Sequence, residues 1–66
     1  QQFNFIFADP PYGYENYKEM KDLIINKKLI KEEGLLIIEH NKDIQFDGEN
    51  IKLRRYGTVH FSIFSF

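Results

Sequence analysis

At 66 residues the chain holds one domain at most, and without cysteine it has neither disulfides nor thiolate metal sites to brace it. Its net charge of −1 excludes the global basic field of an autonomous nucleic-acid binder, and no apolar run reaches membrane-spanning length. No signal peptide is visible, so a cytoplasmic chain is the default expectation. His40 and His60 show no metal-ligand spacing. Seven Phe and four Tyr are a heavy aromatic load for so short a chain, which opens at Gln1 almost directly in a strand. A domain of this size buries only about 60% of its unfolded surface. These features together predict a single partial domain over residues 1–66.

In chain order, residues 3–8 form the first strand. Phe3, Phe5 and Phe7 fall on one face and Ile6 and Ala8 on the other, so both faces are apolar, as in a parallel sheet. Residues 12–15 form the exit loop. Asn16 reads as an N-cap, with Glu19 three positions on. A helix is predicted from about Tyr17 to about Lys27, with Tyr17, Met20, Leu23 and Ile24 as its apolar stripe. Lys27 and Lys28 sit where the helix dipole favours cations. Leu29 and Ile30 are expected against the sheet edge, and residues 31–34 as a charged turn. Residues 35–38 are a continuous apolar run, read as a central strand ending in Glu39 and His40. Strand, helix and strand over this length make one crossover unit, which puts Glu39 and His40 on the same edge as Asp9. Residues 41–50 are polar, with an Asp47-Gly48 turn signal, and read as a loop. Residues 51–56 and 59–66 alternate around Gly57-Thr58 and predict a β-hairpin. The fold class is therefore α/β: strand–helix–strand plus a hairpin.

The chemistry gathers at Asp9-Pro10-Pro11-Tyr12, which closes the first strand. In open α/β sheets ligands sit outside the carboxyl ends of the strands. The two prolines fix φ and offer no N–H, so this stretch presents acceptor oxygens and few donors. Tyr12 adds a ring on which a base can stack, typically worth roughly 1–3 kcal/mol. Acceptors in plane beneath a ring are what an exocyclic nucleobase amine needs to be held with its lone pair free. The same tetrapeptide also suits a turn, with Asp9 bonding nearby backbone N–H groups. Glu39 and His40 are substrate-contact candidates or ordinary strand-end residues. Lys52, Arg54 and Arg55 form a basic cluster that suits either phosphates or a solvated strand face.

Residues 7–13, Glu39-His40 and the Arg55-Tyr56-Gly57-Thr58 turn together resemble the C-terminal half of the bacterial small-subunit ribosomal RNA guanine-N2 methyltransferases. The resemblance covers nearly the whole chain. It implies a fragment of a Rossmann-like methyltransferase sheet of seven strands, with residues 3–8 as the fourth, 35–40 as the fifth and the hairpin as the last two. It implies S-adenosylmethionine as methyl donor. The acid matching Asp9 and the carbonyl matching Pro10 would receive the target amine, Pro11 would hold the backbone, and Tyr12 would stack on the base. Asp9 is also the one candidate cofactor contact; Tyr12, Glu39 and His40 are the candidate substrate contacts. Ribosomal RNA or the small subunit is the implied partner.

The Gly-rich loop and the acidic residue that grip the cofactor in that family have no counterpart in this chain, so the fragment alone is expected to be inactive. One helix cannot cover both faces of the sheet. Self-association, or an N-terminal half, is expected to cover the other. Two further readings stay open: a fragment of a DNA adenine-N6 or other amino-methyltransferase, which would share Asp9 to Tyr12, and a non-catalytic interaction module.

Overall fold

The computed structural model describes residues 2–11, 15–48 and 50–66. It contains strand β1 (Phe3–Ala8), helix α1 (Tyr17–Asn26), and strands β2 (Ile30–His40), β3 (Ile51–Tyr56) and β4 (Val59–Ser65). The four strands form one sheet in the order β1-β2-β4-β3. β1 and β2 are parallel, joined through α1; β4 runs antiparallel to both β2 and β3. The α/β class and the strand–helix–strand–hairpin order are as the sequence predicts.

The core lies on one face. Leu36 and Ile38 of β2 are fully buried, and Tyr17, Ile30 and Phe64 complete the buried cluster. Met20 and Ile24 of α1 pack against it from the helix. The helix seam runs through Tyr17, Met20, Lys21 and Ile24, and Leu23, expected in that stripe, is instead 54% exposed. At about 100° per residue, Leu23 falls one step outside the seam. Asn16 stands at the N-cap but its side chain makes no capping hydrogen bond.

The helix ends by a device the sequence does not advertise. Lys28 takes the left-handed conformation (φ 53°) usually left to glycine. Its N–H donates to the Ile25 carbonyl, and the Leu29 N–H donates to that of Ile24. This is a Schellman closure, and it turns the chain straight into β2.

β2 is longer than predicted. The expected charged turn at residues 31–34 is an irregular part of the strand. Phe3 pairs with Ile30 but Phe5 with Leu35, so β2 accommodates extra residues between them. Glu33 adopts φ 68° there, and its N–H donates to the Phe66 carbonyl. Gly34 is needed for space: a Cβ would lie 2.8 Å from both the Asn4 and Lys31 carbonyl oxygens. The 41–50 segment is also more than a polar loop. Ile44 and Phe46 fold onto the core, and the Phe46 ring meets Phe64 edge-on at 5.2 Å.

The opposite face is open. Phe3, Phe5, Phe7, Leu35 and Tyr56 are exposed, and the Phe61 ring lies tilted against Phe7 at 6.4 Å and edge-on to Tyr56 at 5.9 Å. Glu39, Lys52 and Arg54 share this face through the register with Phe61 and Ile63.

The crowding at Gly34 yields a test. Gly34→Ala is expected to lower stability by roughly 1–3 kcal/mol, because an added Cβ would meet the Ile30 side chain and two backbone oxygens that cannot swing aside. Phe5→Ala, 56% exposed, is expected to stay within about 1 kcal/mol of the parent. Urea denaturation of both variants measures the difference.

Candidate functional site

Four strand ends meet at one edge of the sheet. β1 and β2 run parallel, so Asp9 follows Ala8 where Glu39 follows its partner Ile38. β4 is antiparallel to β2, so its start, Val59 and His60, comes to this same edge, and the end of β3 comes with it. Asp9 and Pro11 are exposed and Pro10 is half-buried. Asp9 has no hydrogen-bond or ion-pair partner among the described residues. Tyr12 lies outside the described residues.

Glu39 and His40 part company. Strand alternation sends Glu39, half-buried, to the open face opposite Phe61. His40 points to the helix side and is 4% exposed. Its Nδ1 lies 2.8 Å from the Asn41 carbonyl oxygen and its Nε2 2.6 Å from Ser62 Oγ. A carbonyl only accepts, so Nδ1 carries a proton; in the neutral ring Nε2 then accepts from the Ser62 hydroxyl. His40, a candidate substrate contact by sequence, is buried here and bridges β2 to β4 through Ser62. Tyr17 and Phe46 meet the ring edge-on at 6.2 and 5.6 Å, and His60 stacks on it at 6.0 Å.

The sequence did not single out Ser62 or His60. The available signal was the alternation His60, Ser62, Phe64, which places two polar groups on a face otherwise apolar. The basic cluster also divides. Lys52 and Arg54 lie on the open face, whereas Arg55 pairs with His60 and shares its face.

Two openings flank this edge. One, of about 430 Å³, lies between the start of α1 and residues 43–45, and includes Glu15, Asn16 and Tyr17. The other, of about 530 Å³, lies over the end of β2 and the hairpin turn. The chain has no Gly-x-Gly turn, and β1 is an edge strand with no neighbour on its outer side among the described residues.

A family model described as Conserved hypothetical protein 95 matches residues 1–65. The chain belongs to that family. A curated relative from Bacillus subtilis (strain 168), named "Putative rRNA methyltransferase YlbH", is 28% identical over 94% of the chain and 36% of its own length. Among solved structures, a chain described as a "putative methylase" from Haemophilus influenzae superposes with TM-score 0.75 at 24% identity, over 96% of this chain and 42% of that one. A "conserved hypothetical protein" from Streptococcus pyogenes gives TM-score 0.80 at 23% identity, over 97% and 43%. The chain therefore spans less than half the length of these relatives, and its sheet is a fragment of their Rossmann-like fold. The resemblance to the ribosomal RNA methyltransferases is borne out at the level of the family.

The His40 brace yields its own test. Ser62→Ala strands a buried ring nitrogen and is expected to cost roughly 1–3 kcal/mol in denaturation. Ring ¹⁵N shifts of His40 in the parent should show the Nδ1-protonated tautomer.

Proposed function

We propose that this chain forms the target-amine side of a domain that methylates the exocyclic N2 of a guanine in small-subunit ribosomal RNA. The observation that carries the reading is the Asp9 carboxylate, exposed and without a partner among the described residues, at the carboxyl end of β1 and followed by two prolines. The family membership and the name of the Bacillus relative support methylation of ribosomal RNA.

In this reading S-adenosylmethionine, held mainly by residues beyond this chain, supplies an electrophilic methyl group. Asp9 and the Pro10 carbonyl accept hydrogen bonds from the guanine amine. Pro10 and Pro11 keep those acceptors in place, and Tyr12 stacks on the base. Asp9 also borders the donor. Glu39 faces the same edge from the open side of the sheet. Rate then comes from positioning and preorganised acceptors, with no covalent enzyme intermediate. The open Phe-rich face is where the rest of the domain, or a second copy, packs. No described helix is long and apolar enough to cross a membrane, and the reading sets the protein to work in the cytoplasm.

The experiment uses the full-length protein with labelled S-adenosylmethionine and small-subunit RNA, with duplex DNA as the competing substrate. Asp9→Ala is expected to lower kcat/KM by about a hundredfold, the scale of losing one preorganised polar contact. Unchanged methylation would return the tetrapeptide to a turn. Methylation of DNA in preference to RNA would favour an amino-methyltransferase of the other branch. The 66-residue chain alone is expected to transfer no methyl group.

A further inference from the structure

We infer that the pocket over the end of β2 and the β3–β4 turn is a phosphate subsite that holds the RNA backbone beside the target nucleotide. The pocket, about 530 Å³, is lined by Asn41, Lys42, Asp43, Arg55, Thr58 and His60. Lys42 and Arg55 outnumber the single acid, Asp43. Among the described residues the sole ion pair joins Lys21 and Asp22, so neither pocket cation is paired with a described carboxylate. The rim is built: the Asp43 N–H donates to Asn41 Oδ1 at 2.8 Å, and the Ile44 N–H to the Asn41 carbonyl at 3.3 Å.

His60 is the second observation. It is 8% exposed, and its Nδ1 is buried with no hydrogen-bond partner among the described residues. Buried polar atoms are nearly always paired, and an exception in a pocket wall marks a polar site. The lining of the same pocket adds a hydroxyl (Thr58), an ammonium (Lys42) and a guanidinium (Arg55), the donor set that grips phosphate oxygens. β4 and β3 lie two and three strand spacings from β1, roughly 10 and 14 Å. A phosphate seated there therefore sits within a short reach of a base held at Asp9. Local charge does here what the overall balance of −1 does not.

The proposal rests on the reading above only for the source of the phosphate, and the test separates the two. Binding of a labelled single-stranded RNA to the full-length protein is measured across salt concentration for the parent, Arg55→Gln, Lys42→Gln and the Lys52→Gln/Arg54→Gln control. Each pocket variant should weaken binding about threefold to tenfold and reduce the salt slope by about 0.7. Inorganic phosphate should shift the His60 ring resonances in the parent and not in Arg55→Gln. RNA binding with an unchanged slope in both pocket variants overturns the subsite and leaves the RNA reading intact. A phosphate response at His60 without RNA binding overturns RNA as the source.

Discussion

Strand β2 is the constraint on which the molecule depends. It takes a parallel partner on one side and an antiparallel one on the other, with Leu36 and Ile38 fully buried beneath α1. Those two pairings have opposite senses, and this is why the ends of β1 and β3 and the start of β4 reach one edge. A shift of one residue in either register would move Leu36 and Ile38 to the open face and separate Asp9 from the hairpin. Gly34 and the irregular start of β2 set that register, since the extra residues are absorbed before Leu35 and the pairing is regular from there to Ile38.

The edge brings together two kinds of chemistry. In the proposed reading Asp9 and the Pro10 carbonyl offer oxygens to an amine, and Lys42, Arg55 and Thr58 offer donors to an anion. The His40–Ser62 bond ties β2 to β4 between them. A buried histidine with both nitrogens satisfied is a rigid part, and rigidity is what a site that works by positioning requires. The two faces of the sheet differ as sharply. One has a helix and the Ile44–Phe46 segment over it, while the other displays phenylalanines that a sheet of this kind ordinarily buries.

Much of this was legible in the sequence because the local signals agreed. The apolar runs at 3–8 and 35–38, the alternation at 51–56 and 59–65, and the Gly57 turn each specified an element. Asp9-Pro10-Pro11 declared itself by composition. What stayed hidden depended on long-range contacts. Lys28 in a left-handed conformation ends the helix, where a glycine would have announced it. The charged residues 31–33 belong to β2 because Phe66 returns to pair with Glu33 and Gly34. Ile44 and Phe46 looked like parts of a polar loop until the core they pack on was assembled. The roles of His40 and Arg55 turned on which face of a strand each occupies relative to β4, a matter of register that composition does not carry.

In the proposed function a single end of the sheet meets the RNA. Hydrogen–deuterium exchange of the full-length protein with and without a small-subunit RNA fragment tests it most directly. Slowed exchange is expected only in peptides covering residues 9–16, 39–43 and 55–60. Protection centred on the outer face of α1, with those three segments unchanged, would contradict it.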